Sequence, residues 1–311
     1  MLVRRLKFLA WLAALLVIVL GGSYLLAPQW LWQANLKREA MAAHLEAYAV
    51  QAGDTRWAYY EGGEGPTIVL LHGFAADKSV WLALAKALTA HFHVVIPDLP
   101  GWGDSSRVDG ADYGVEAQAA RLDAFVQALR LPGFALVGHD VGGAVAGVYA
   151  SEHPEHVAGL VLMDSYGLKS AGNAFTRGGP DPFVFDNRAG LQRTLALMFV
   201  QPPELAGRFA DVLVARNQRD RAFIERGFDA LRQPAAYLVL QPRLARLTMP
   251  VLGLWCHDDK LMDISALDSL RSGLVSAAAI STSVINGCNH MPMREKPEDT
   301  ARVLTGFMLS H

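Results

Sequence analysis

The chain has 311 residues, is 52% hydrophobic and carries a formal net charge of −2, enough to bury one large core with room for an inserted lobe. That charge balance gives no electrostatic reason to expect a nucleic-acid partner. No internal repeat, low-complexity tract or long block of like charge occurs, so a folded body is expected rather than a disordered or solenoid one.

The N-terminus is set apart. Arg4, Arg5 and Lys7 precede an uncharged stretch from Phe8 to Leu36, and Phe8 to Leu20 is almost entirely aliphatic or aromatic. A helix needs roughly 20 apolar residues to cross a bilayer, and Leu6 to Leu26 supplies them, with Tyr24, Trp30 and Trp32 placed for the far interface. The basic cluster favours a cytoplasmic N-terminus, hence a single-pass protein with its body on the extracytoplasmic, periplasmic side. A cleaved signal peptide is the competing reading, but no small-x-small cleavage site follows. Residues 1–33 are therefore read as a membrane anchor. The polar amphipathic stretch from Ala34 to Tyr48 places a stalk helix over 34–50, leading to a body at 51–311.

From Trp57 onward strands alternate with helices. Strands are predicted at Trp57 to Tyr60, Thr67 to Leu71, Val94 to Ile96, Phe134 to Val137, Gly159 to Met163, Val251 to Trp255 and Ile280 to Ile285. Helices are predicted at Ser79 to Ala90, Val115 to Leu131, Val141 to Glu152, Ile264 to Leu274 and Pro297 to Leu309. This alternation predicts an α/β fold, a mostly parallel sheet with helices on both faces. About 80 residues, roughly 167–248, carry helical stretches and no clear strand, which reads as a helical lid inserted over the strand ends.

Sites in open α/β sheets gather beyond the carboxyl ends of strands. There the sequence places His72-Gly73-Phe74, the glycine-rich loop Asp98 to Ser105, Gly138-His139-Asp140-Val141-Gly142, Asp258-Asp259 and His290. The third of these fits the G-x-nucleophile-x-G elbow, whose glycines allow backbone to pass close to backbone. Its central residue is Asp140, where most such elbows carry Ser. The backbone N–H groups of Phe74 and Val141 are candidates for an oxyanion hole.

From about Tyr59 onward the chain resembles the α/β-hydrolase fold family, and its details are similar to the membrane-anchored monoacylglycerol lipase and esterase branch. The resemblance lies in LLHGFAADKSVW (Leu70 to Trp81), DLPGWGDS (Asp98 to Ser105), GGAVAGVYA (Gly142 to Ala150), LWCHDDKLMD (Leu254 to Asp263) and GCNHMPMREKP (Gly287 to Pro297). It implies an α/β-hydrolase fold, a small lipophilic substrate, no cofactor, His290 as general base and Asp259 as its orienting acid. It also implies serine at position 140, and Asp140 departs from that. Asp elbows belong to the epoxide hydrolases and haloalkane dehalogenases of the same superfamily.

The chemistry of the two nucleophiles differs. A carboxylate that attacks an ester carbonyl is itself the better leaving group, so acyl transfer runs backwards. Against a strained epoxide or an alkyl halide it leaves a stable alkyl ester on Asp140, which water activated by His290 hydrolyses. A dehalogenase needs halide donors where Val141 and Phe74 stand. An epoxide hydrolase needs lid hydroxyls, for which Tyr237 is the first candidate and Tyr166 the second. Neither phenol is free of a packing explanation, and the HG-x-P loop is absent because Ala75 follows Phe74.

Other polar residues are weighed against structural roles. Asp164, after the Gly159 to Met163 strand, and Asp258 are the alternative triad acids, Asp258 being set against a role as a solvated loop residue. Asp98 and Asp104 are expected to fix loop backbone, and His72 and His139 to be structural. No H-E-x-x-H spacing occurs, so no metal site is expected. Cys256 and Cys288 are read as free thiols packed near the site, with a disulfide between the two loops as the alternative. Three functions follow: a membrane-anchored hydrolase using Asp140 covalently, epoxide hydrolase-like; an esterase or lipase-like protein with Ser replaced by Asp; and an inactive lipid- or partner-binding relative. Oligomeric state is not readable.

Overall fold

The chain enters the fold through two helices and a hairpin. In the computed structural model, which describes residues 2–176 and 178–311, α1 (Leu2–Leu26) and α2 (Pro28–Ala42) are separated by Ala27 alone. Pro28 sits in the first turn, where its missing N–H is no loss. Residues 2–21 are exposed throughout, and among the described residues α1 is the one helix long and apolar enough to cross a membrane. Such a helix is stable without protein partners where lipid replaces water.

The stalk helix expected over 34–50 is corrected here. Helix α2 ends at Ala42, His44 takes a φ of 54°, and the chain continues as β1 (Leu45–Ala52). β1 pairs antiparallel with β2 (Thr55–Gly62) across the two-residue turn Gly53-Asp54. Alanine, leucine and glutamate favour helix locally, but cross-strand pairing overrides that preference. Tyr48 lies opposite Tyr59, with the rings stacked at 5.6 Å.

The hairpin forms one side of an eight-stranded sheet with β3 (Thr67–Leu71), β4 (His93–Pro97), β5 (Phe134–His139), β6 (Val157–Met163), β7 (Val251–Cys256) and β8 (Ile280–Ile285). The order is β1-β2-β4-β3-β5-β6-β7-β8. All pairs from β4 through β8 are parallel, and β2 meets β4 antiparallel. Strands β3, β5 and β7 are buried along their whole length, which explains their unbroken apolar runs.

Helix α3 (Leu82–Leu88) covers one face, while α4 (Val115–Leu129) and α5 (Val141–Glu152) cover the other. Between β6 and β7 the chain forms α6 (Arg188–Met198), α7 (Gly207–Leu231) and α8 (Pro234–Tyr237), the helical lid. Helix α9 (Ala266–Gly273) then joins the α4–α5 face, and α10 (Pro292–Glu295) with α11 (Pro297–Ser310) joins α3.

Two side chains of α7 help fasten the lid. Phe209 of α7 meets the rings of Tyr24 and Trp32 at 5.6 and 5.9 Å, and Arg216 of α7 pairs with Asp77 at 2.7 Å. One contact reaches α1 and α2, the other the loop after β3.

Candidate active site

Asp140 stands between β5 and α5 with φ 52° and ψ −123°, a conformation a non-glycine residue keeps only when its surroundings dictate it. A Cβ on Gly138 would lie 2.2 Å from the Gly142 carbonyl oxygen, and one on Gly142 would lie 2.3 Å from that of His72. Only glycine fits at either flank. The Asp140 side chain is thereby raised over the strand ends, beneath the lid, yet Asp140 is only 3% exposed.

Its two oxygens differ. Phe74 N–H donates to Oδ2 at 2.8 Å, and the Val141 N–H also acts on this carboxylate. Oδ1 is buried and has no hydrogen-bond partner among the described residues. Burial pushes the Asp140 carboxyl above the usual range, against the opposing pull of His290 and the two N–H groups.

His290 Nδ1 lies 2.9 Å from Asp259 Oδ2, with both side chains almost fully buried. The other Asp259 oxygen accepts the N–H groups of Leu261 and Met262 at 2.7 and 2.9 Å. Burial pulls the His290 imidazole down, but the carboxylates of Asp259 and Asp140 outweigh it and leave the imidazole above its ordinary value. Of the candidate acids, Asp259 meets the histidine. Asp258 is exposed and pairs with His257.

Asp164 has a different place. It is fully buried at the end of β6, accepts the Cys256 N–H at 2.8 Å, and lies against Asp259. Burial and the neighbouring carboxylate push its carboxyl well above the usual range.

Asn289 is the positioning residue that motif reading missed. Its Oδ1 accepts Lys260 N–H at 2.8 Å from the acid loop, and its Nδ2 donates to the Leu197 carbonyl of α6 at 2.9 Å. His290 N–H donates to Met198 at 3.0 Å, and His139 Nε2 lies 2.7 Å from the His290 carbonyl. The signal available in sequence was only adjacency to His290. The free-thiol reading is also corrected: Cys256 and Cys288 form a buried disulfide with Cα atoms 5.3 Å apart. Adjacent parallel strands β7 and β8 deliver the two residues within bridging distance.

His72, Asp98 and Asp104 build the neighbouring loops. His72 accepts Leu99 N–H at 2.9 Å, and Lys78 Nζ bridges Asp98 and Asp104 at 2.6 Å each. The substrate side is apolar: the Phe74 ring meets Trp102, Phe175 and Phe183 at 5.2–5.9 Å. Cavities of ≈ 400 and ≈ 380 Å³ share Phe74 and Trp102; the first reaches Val141, the second Met198 and Trp32. Of the two lid phenols, Tyr166 spends its hydroxyl on the Leu231 carbonyl. Tyr237 is half-buried at the end of α8, and among the described residues no hydrogen bond joins it to Asp140.

The model of the α/β hydrolase fold matches residues 66–297. The chain belongs to the α/β-hydrolase fold family. The crystal structure of a membrane phospholipase A, described as a bacterial virulence factor, is 35% identical to this α/β-hydrolase and superposes with a TM-score of 0.85, covering 98% of both chains. Human monoacylglycerol lipase ABHD6 is 28% identical over 96% of this chain and 92% of its own length. Lipase 1 of Psychrobacter immobilis is 27% identical over 85% of this chain and 84% of its own. The protein is thus a hydrolase of the lipase and monoacylglycerol lipase-like branch, with an N-terminal apolar helix suited to a membrane.

Proposed function

We propose that this α/β-hydrolase cleaves a small lipophilic substrate at a membrane, with Asp140 as covalent nucleophile toward a saturated, electrophilic carbon, as in epoxide hydrolysis. The observation that carries this reading is the asymmetry of the carboxylate: Oδ2 is held by the Phe74 N–H, while the buried Oδ1 has no hydrogen-bond partner among the described residues. Oδ1 attacks the ring carbon, the C–O bond opens, and the alkoxide takes a proton from a lid phenol. Tyr237 is assigned that role because the Tyr166 hydroxyl is committed to Leu231.

Alkylation removes the negative charge of Asp140, one of the charges that raise the His290 imidazole. A larger share of the imidazole is then unprotonated at the point where it must take a proton from water. The resulting hydroxide adds to the Asp140 carboxyl carbon, the oxyanion sits against the N–H groups of Phe74 and Val141, collapse expels the diol's alkoxide, which takes the proton held by His290, and the Asp140 carboxyl proton returns to the Tyr237 phenolate. One such donor is worth roughly 10²–10³ in rate. The same reading places the body outside the cytoplasm, supported by Arg4, Arg5 and Lys7 ahead of α1 and by the Cys256–Cys288 disulfide.

The second reading is that Asp140 occupies a serine's place in a lipase-like enzyme; the likeness to a phospholipase and to monoacylglycerol lipases favours it. Intact-protein mass spectrometry separates the two. The parent, Asp140→Asn, Asp140→Ser and His290→Gln are incubated with a long-chain epoxide and with p-nitrophenyl esters. An epoxide-sized mass gain that persists in His290→Gln and is absent from Asp140→Asn supports the first reading. Esterase activity confined to Asp140→Ser supports the second. Silence in every variant with retained lipid binding identifies a binding protein and overturns both.

A further inference from the structure

The end of α5 remote from Asp140 carries a second cluster of chemistry. The helix ends at Glu152, and the chain turns through His153-Pro154-Glu155-His156, with Pro154 in the first position of a 3-10 turn. Asp123 faces this turn from α4. One donor atom from each of Asp123, His153 and His156 lies within 4.8 Å of the others. We propose that these three residues bind a single divalent transition-metal ion of the zinc class, as a structural clamp between α4 and the end of α5.

The side chains are arranged as ligands with outer support. Asp123 Oδ2 accepts a hydrogen bond from Gln127 Nε2 at 2.6 Å, whereas Oδ1 is buried and has no hydrogen-bond partner among the described residues. Oδ1 is 3.9 Å from His153 Nε2, beyond a hydrogen bond. His156 Nδ1 lies 2.9 Å from the Tyr149 hydroxyl, which leaves Nε2 as its open nitrogen. With a metal on Nε2, the proton sits on Nδ1 and is donated to Tyr149, the outer hydrogen bond that ligating histidines use to fix their tautomer. The His153 ring packs 4.9 Å from Tyr149 and lies parallel to His156 within 4°. Glu155 Oε1 is 3.8 Å from both histidines and is placed to supply a fourth ligand by side-chain rotation.

Two imidazoles and a carboxylate suit zinc, cobalt or nickel, whereas magnesium and calcium prefer all-oxygen sites. Metal–ligand bonds of about 2.0–2.1 Å put tetrahedral donors about 3.3 Å apart. The half-buried side chains reach that spacing by rotation, with no demand on the backbone. Because α5 spans roughly 18 Å from the elbow to this turn, occupancy is read without reference to catalysis.

The test uses the full chain in detergent micelles, affinity tag removed and metal stripped by chelation, titrated with Co²⁺ by visible absorption and with Zn²⁺ by calorimetry. One equivalent is expected in the parent, with a rise in thermal midpoint because the ion binds the folded state. Asp123→Asn and His156→Gln should lose that equivalent, and Tyr149→Phe should weaken it about 10- to 100-fold. Far-UV circular dichroism of each stripped variant establishes that it is folded. Absence of stoichiometric binding in the parent, or binding that is unchanged in folded Asp123→Asn and His156→Gln, overturns the site.

Discussion

The two halves of the candidate active site are built on different principles. The acid-histidine half is tied by directed bonds: Asp259 accepts from two backbone N–H groups and the imidazole, Asn289 joins the acid loop to α6, and a disulfide links β7 to the loop after β8. The substrate half is a wall of rings around Phe74, with charged groups such as Arg107 and Arg216 elsewhere along its cavities. The first half fixes where a proton goes. The second forms the cavity walls, and α7 of the lid lines both cavities.

The largest expected effect strikes the tied half. His290→Gln should lower turnover about 10²–10⁴-fold with the alkyl-enzyme accumulating, as single-turnover mass spectrometry would record; equal losses in adduct formation and breakdown would erase the division. Next is Lys78→Met, which leaves buried Asp98 without its cation and should cost about 3–5 kcal/mol in urea unfolding. Replacing Cys256 and Cys288 together by serine releases a link 32 residues long and should cost about 3–4 kcal/mol, measured the same way.

The pH dependence sharpens the contrast further. Asp259 and Asp140 hold His290 protonated above the ordinary value of about 6.5. As pH falls through that raised value the base is lost, so activity should have its acid limb above 6.5. Asp259→Asn should move the limb of the residual activity downward, because the first carboxylate that raises the imidazole is gone. An unmoved limb would mean that another group titrates. The smallest effects belong to the lid. Tyr237→Phe should slow epoxide opening while sparing ester breakdown, and Tyr166→Phe should mainly cost about 1 kcal/mol of stability through its lost Leu231 bond.

The same division governs what could be read from sequence. The elbow, the His72-Gly73-Phe74 loop, Asp259 and His290 were visible because strand ends, glycines and polar residues sit together along the chain. The strand β1 was not, since Leu45, Glu46, Ala47 and Ala49 favour helix and only the Gly53-Asp54 turn announced a hairpin. The disulfide was legible only as the alternative, because sequence does not fix the distance between the two Cα atoms. Asp123 and His156 are separated in sequence and meet only through the packing of α4 against α5. The lid was legible as helical and no further, since ring packing carries no periodic signature that names a substrate.

The correction at residues 43–52 changes the mechanics of the whole protein. One residue separates α1 from α2, and two separate α2 from the first strand of the sheet, so the catalytic body hangs on no slack cord. It rides on a short boom, about 22 Å of helix, with Phe209 of the lid braced against Tyr24 and Trp32 at its foot. With α1 in a bilayer, a body mounted this way would patrol a thin layer above it, and its working concentration would be set by area, not by volume.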